Sequence, residues 1–132
     1  MFIMANLPPC IMVVDDEDML VDMVASLIED LGMRTMIATN GQEALTSLHQ
    51  MQDAPALILS DVMMPKMNGI ELANAVKRDP QLKDVPVILM SAVGVPIGTS
   101  SADGFIHKPF DLDLLLDLIE RYIVSGEQEF MV

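Results

Sequence analysis

Leu57-Ile58-Leu59-Ser60-Asp61-Val62-Met63-Met64-Pro65-Lys66-Met67-Asn68-Gly69 is the stretch that decides the fold. Leu57 to Leu59 is a short apolar run of the kind that forms a buried strand, and it delivers a carboxylate, Asp61. Pro65 and then Asn68-Gly69 break the strand and turn the chain. An apolar strand that carries one Asp to its carboxyl end, just before a loop, is how open α/β sheets present chemistry. Alone, such an Asp more often caps a turn than reacts. Its significance depends on what other segments bring to the same edge.

Upstream, Cys10-Ile11-Met12-Val13-Val14 is a second apolar run, ending in Asp15-Asp16-Glu17-Asp18. Met19, Leu20, Met23, Val24, Leu27, Ile28 and Leu31 then recur at helical spacing, and Gly32 stands where a C-cap belongs. Thr35 to Ala38 reads as a strand. Asn40-Gly41-Gln42-Glu43 sets a cap residue three positions before a Glu and opens a helix through Met51. Asn68-Gly69-Ile70-Glu71 repeats that pattern. The helix it opens turns Ile70, Ala73 and Val76 inward and finishes at Lys77-Arg78, with Pro80 as its stop.

Downstream, Val85 to Met90 reads as a fourth strand with Ser91 at its carboxyl end. Gly104-Phe105-Ile106-His107 reads as a fifth, ending in Lys108-Pro109. A last helix is predicted from Asp111 to Ser125, with Leu112, Leu115, Leu116, Ile119 and Ile123 on one face. The β-α alternation predicts a doubly wound, flavodoxin-like α/β domain: five parallel strands in the order 2-1-3-4-5, covered by helices on both sides. The predicted organisation is a leader over residues 1–8, the domain over 9–125 and a polar tail over 126–132. One segment departs from the pattern. Gly94, Pro96 and Gly98, between Ser91 and Gly104, forbid a normal three-turn helix, so the fourth crossover helix is expected to be short or absent.

Composition bounds the function. A chain of 132 residues with 52% hydrophobic content builds one folded domain, not two. Its net charge of −13 disfavours direct binding to nucleic acid. No apolar run reaches the roughly 18 residues that cross a bilayer, and the N-terminal segment lacks a basic region, so a cytoplasmic location is expected. Cys10 stands alone and reads as a buried small residue; the thirteen methionines read as core filler. His49 and His107 are far apart and lack Cys partners, which argues against a zinc site.

The predicted strand order reverses between strands 1 and 3, so Asp15, Asp16 and Asp61 converge on one crevice. At an effective dielectric near 20, each like-charge pair about 4 Å apart costs roughly 4 kcal/mol. Such a cluster raises a pKa or recruits a cation. Oxygen-only ligands with open positions suit Mg²⁺. Ser91 and Lys108 end at the same edge, adding a hydroxyl and a compact positive charge. Each of the five residues alone has a structural explanation; all five at one edge point to chemistry.

Val14-Asp15-Asp16-Glu17, the Ser60-to-Gly69 run, Met90-Ser91-Ala92 and Phe105-Ile106-His107-Lys108-Pro109-Phe110 resemble the motifs of the receiver domain of two-component response regulators. The resemblance covers Cys10 to Val124. It implies that Asp61 is the phosphoacceptor, charged by the phosphohistidine of a histidine kinase or a phosphotransfer protein. It implies a Mg²⁺ ion held directly by Asp16, Asp61 and the Met63 backbone carbonyl, and by Asp15 through water. Lys108 would neutralise a phosphoryl oxygen, Ser91 and Phe105 would form the switch, and the Lys108–Pro109 bond would be cis. The domain would catalyse only its own phosphorylation and dephosphorylation, and its change of conformation would control a downstream protein. Receivers use the fourth crossover helix, fifth strand and last helix as an output and dimer face. The Gly-Pro-Gly connection puts that face in question here.

Two rival functions follow from the same residues. One is a receiver-shaped binding module that signals by docking, without phosphate. The other is a Mg²⁺-dependent phosphohydrolase with an aspartate nucleophile. That chemistry wants a second acid two residues on, where this chain has Met63. An all-helical phosphotransfer protein using His49 conflicts with five strands. No output domain fits after Val124, so the domain is expected either to act by binding another protein or to be part of a longer chain.

Overall fold

The computed structural model describes residues 8–93 and 101–131, with the side chains of the last helix described as far as residue 123. Five strands, β1 (Cys10–Val14), β2 (Arg34–Ala38), β3 (Leu57–Asp61), β4 (Val87–Ser91) and β5 (Gly104–His107), form one parallel sheet in the order β2-β1-β3-β4-β5. β1, β3 and β4 are buried at every position, as strands with helices on both faces must be. β2 and β5 are the edges and are only partly covered.

Helices α1 (Asp18–Asp30) and α4 (Leu112–Met131) cover one face of the sheet, and α2 (Gly41–Gln50) and α3 (Gly69–Arg78) cover the other. Alternate strand residues feed the two cores. Ile11, Val13, Leu57, Leu59, Ile88 and Met90 meet α1 and α4, whereas Met12, Val14, Ile58, Val87 and Leu89 meet α2 and α3. At α3, Asn68 accepts from Glu71 N–H and Glu71 accepts from Asn68 N–H, a complete capping box. At α2, Asn40 caps Glu43 N–H, but the Glu43 carboxylate accepts from Thr39 instead, so the box is half made.

The helical stripes differ from their expected positions. In α1, Val21, Val24, Ala25 and Ile28 are buried, at i, i+3, i+4 and i+7. Met19 (87% exposed), Met23 and Leu31 face outward, so these methionines are not core filler. In α3, Leu72 takes the interior place expected of Ile70, which is half-buried. β4 begins at Val87, after Pro86, whose missing N–H cannot join a ladder. In α4, Leu115 and Ile119 are buried while Leu112 is exposed. The helix passes the expected end at residue 125 and continues to Met131. Gly126 alone does not stop it, since one Gly costs about 1 kcal/mol in a helix and no Pro follows.

Ala92 and Val93, and then Ser101 to Asp103, are non-helical, so among the described residues no helix joins β4 to β5. The centre of the expected loop, 94–100, lies outside the described residues, as do positions 1–7 of the leader and Val132. No helix among the described residues is long and apolar enough to cross a membrane.

Candidate functional site

β1 and β3 lie side by side with Val14 opposite Ser60, so the residues that follow, Asp15 and Asp61, emerge together at the carboxyl rim. One carboxylate oxygen from each of Asp15, Asp16 and Asp61 lies within 4.8 Å of the others. Asp15 and Asp61 are buried, at 1% and 6% exposure, and Asp16 faces solvent. Lys108, just past β5, reaches back into this cluster. Its Nζ donates to Asp15 Oδ2 at 3.0 Å and lies 3.2 Å from Asp61 Oδ1 and 3.6 Å from Glu17 Oε1. Its backbone N–H donates to Ser91 O at 2.7 Å, which ties the end of β5 to the end of β4. The Lys108–Pro109 peptide bond is cis.

The electrostatics follow from one ammonium among several acids. Burial raises the pKa of Asp61 above the ordinary 3.8, and the neighbouring Asp15 charge raises it further, against the opposing pull of Lys108. Burial works against the Lys108 charge, but the bonds and charges of Asp15 and Asp61 outweigh it and hold its pKa above 10.5. The rim therefore keeps an excess of negative charge beside a carboxylate that binds its proton more tightly than usual.

The loop after Asp61 is held from three sides. Val62 N–H donates to Met90 O, and Gly69 N–H to Val62 O, both at 3.0 Å. A Cβ on Gly69 would sit 2.2 Å from the Asp61 carbonyl oxygen, so only glycine lets α3 start this close to the strand end. Met67 N–H donates to Pro65 O across Lys66, whose φ of 64° is left-handed. Met67 O in turn accepts from Gly41 N–H at 3.0 Å, seating the start of α2 on the loop.

Ser91 is fully buried at the end of β4, one residue past the Met90 that pairs with Asp61. Its Oγ accepts from Val93 N–H at 3.1 Å. Phe105 is not at the rim. It pairs with Leu89 in the sheet, is 42% exposed, and its ring lies 6.5 Å from that of His107. Two features were not foreseen from the sequence. Glu17 is a further acid facing Lys108, and its signal was its place directly after the acidic pair. Beside Lys108, a cavity of about 370 Å³ is lined by Glu17, Leu20, Met23, Ala92, Pro109 and Phe110. Of its apolar α1 residues, Leu20 also packs against the core and Met23 faces outward.

Residues 11–120 match the response regulator receiver domain family. The chain belongs to that family. Response regulator RR06 of Streptococcus pneumoniae is 36% identical to this receiver over 124 residues, which covers 86% of this chain and 54% of RR06. The polar-differentiation response regulator DivK of Brucella anthropi is 29% identical over 122 residues, covering 89% of this chain and 98% of DivK. The signal receiver domain of a signal transduction histidine kinase from Syntrophus aciditrophicus superimposes with a TM-score of 0.82. It is 31% identical, over 89% of this chain and 91% of that one. The receiver spans about half the length of several curated relatives that it matches, RR06 among them. It is a signalling domain of two-component systems.

Proposed function

We propose that this receiver accepts a phosphoryl group on Asp61 from the phosphohistidine of a sensor kinase or phosphotransfer protein. The change of conformation that follows would control a partner protein in the cytoplasm, where such donors reside. The supporting observation is the pairing of a buried Asp61, of raised proton affinity, with two further acids and a single ammonium at one rim. Phosphoryl transfer asks for positioning and charge neutralisation more than for covalent help. Asp15, Asp16 and Asp61, with the Met63 carbonyl, would hold Mg²⁺, and all are oxygen donors with one acid open to water. Bound there, the ion would screen the approach of the carboxylate to an anionic donor.

In this reading an Asp61 carboxylate oxygen attacks phosphorus, the P–N bond breaks, and the electron pair leaves with the donor's imidazole. Lys108 moves from a carboxylate to a phosphoryl oxygen. Ser91 gives up its contact with Val93 N–H and donates to the phosphoryl group. If Lys108 and Ser91 each favour the phosphorylated form by about 1.5–3 kcal/mol, together they approach the ~5.5 kcal/mol that inverts a 1:99 equilibrium. Phe105, on β5 two residues before the His107 that pairs with Ser91, is the side chain whose exposure would report the change. The groove formed by Leu20, Met23, Pro109 and Phe110 offers the donor an apolar seat beside Lys108.

Incubation with acetyl phosphate and Mg²⁺ followed by intact-mass measurement tests the reading. The expected result is one acid-labile phosphoryl adduct that Asp61→Asn eliminates. No adduct overturns it in favour of a binding module that works without phosphate, and one that persists in Asp61→Asn overturns Asp61 as the acceptor.

A further inference from the structure

At the rim opposite the acids, α3, β4 and β5 are tied together by one ion pair. Asp103 N–H donates to Val87 O at 2.8 Å, and Val87 N–H donates to Asp103 Oδ2 at 2.8 Å, so this residue pins the start of β5 to the start of β4. Lys77, in the last turn of α3, places its Nζ 2.6 Å from the same carboxylate oxygen. It also donates to Val85 O at 2.7 Å and to Lys83 O at 3.3 Å. The three donors of the ammonium thus meet three oxygens. Two further bonds reinforce the junction: Ser101 N–H to Asn74 Oδ1 on α3, and Tyr122 O–H on α4 to Asp103 O.

The connectivity gives this junction its reach. α3 begins at Gly69, on the loop that follows Asp61, and ends at Lys77-Arg78. β5 begins beside Asp103 and ends at His107, one residue before Lys108. A closed circuit therefore runs from Asp61 along α3, across the ion pair to Asp103, along β5 and back through Lys108 to Asp61. β5 is an edge strand of four residues with one neighbour in the sheet. No helix among the described residues bridges β4 to β5, so the start of β5 is held from α3, through Lys77 and Asn74, with one bond from Tyr122 of α4.

We propose that Lys77 and Asp103 are positioning residues for Lys108, a latch at one end of β5 that sets the ammonium at the other end. Its consequence for phosphoryl transfer rests on the function proposed above, whereas its consequence for β5 does not. Hydrogen exchange on the full chain, read without Mg²⁺ or phosphodonor, tests it. Asp103→Asn keeps an oxygen for Val87 N–H and removes only the charge; Lys77→Met removes the ammonium. In either variant the amides of residues 104–108 are expected to exchange about two- to five-fold faster, with those of β1 and β3 unchanged. Amine-selective labelling of Lys108 should quicken in parallel, and Lys77→Arg should restore most of the protection. Unchanged exchange at 104–108 in both variants overturns the latch, as does an equal acceleration in β1 and β3. If Lys77→Met fails to fold, Asp103→Asn still decides. For the site, initial phosphorylation by acetyl phosphate should slow several-fold while Mg²⁺ affinity, measured by calorimetry, stays constant. Absence of any adduct in the unaltered protein would remove the proposed function and leave the exchange result to judge the latch.

Discussion

Asp61 at the carboxyl rim of the sheet and Asp79 at the other rim have had their proton affinities pushed in opposite directions. Asp79 accepts from Gln81 N–H and lies 2.9 Å from His49 Nε2, and these partners lower its pKa. Nearby, Asp103 has Lys77. At the far rim, by contrast, Asp15, Glu17 and Asp61 share one ammonium, and the pKa of Asp61 rises. At the rim of Asp79 and Asp103, each acid has its own donor. At the rim where the proposed function places the chemistry, the chain tolerates uncompensated charge, as a site that receives a cation or a reactant would.

The largest test of this contrast is Lys108→Met in Mg²⁺-free buffer. It leaves Asp15 and Asp61 buried without a cation, and a loss of about 3–5 kcal/mol is expected in urea unfolding. Added Mg²⁺ should recover a good part of it, up to about 2.7 kcal/mol at a hundred times its Kd. A loss that Mg²⁺ leaves untouched would mean that the acids are not a cation site. Next comes Gly69→Ala, whose Cβ would be driven against the Asp61 carbonyl at 2.2 Å. About 1–3 kcal/mol should be lost. Gly32→Ala at the end of α1 meets no neighbour and suffers only from its φ of 88°, so about 1 kcal/mol is expected there. Equal effects at the two glycines would show that the Asp61 loop is no tighter than an ordinary helix end.

The smallest effects sharpen the comparison through pH. The folded pKa of Asp61 lies above its unfolded value, so its contribution to stability is full below 3.8 and is lost as pH rises through the folded value. Asp61→Asn should therefore raise stability at neutral pH without Mg²⁺ and leave it nearly unchanged in acid. Asp79 has the opposite sign. Its contribution is present above 3.8 and is lost as pH falls through its depressed folded value, so Asp79→Asn should lower stability at neutral pH. Urea midpoints for both variants across acid to neutral pH check the pair; changes of the same sign would refute the contrast.

The central strands were readable because β1 and the leading residues of β3 and β4 are continuous apolar runs, as strands covered on both faces are, and their alternation with helical stretches implied the order. Asp15, Asp16, Asp61 and Lys108 were readable for the same reason, since each ends a strand or follows one within two residues. The apolar stripes were harder to read. Met19 and Met23 share a helical period with true core residues, and periodicity alone cannot say which of two adjacent stripes faces the sheet. Glu17 was passed over because the acids before it already accounted for the cluster. The Lys77–Asp103 pair was invisible: the partners lie far apart in the chain, and neither sits in an unusual local pattern. Contacts made by long polar side chains across a sheet edge leave no periodic trace.

The bond from Lys108 to Asp15 joins residues 93 apart in the chain. Such a closure belongs late in refolding, because its entropic cost is met only after the intervening strands have paired. Ellipticity from the helices should therefore recover before Lys108 is sequestered from amine reagents. A stopped-flow trace compared with pulsed lysine labelling would show the lag between them.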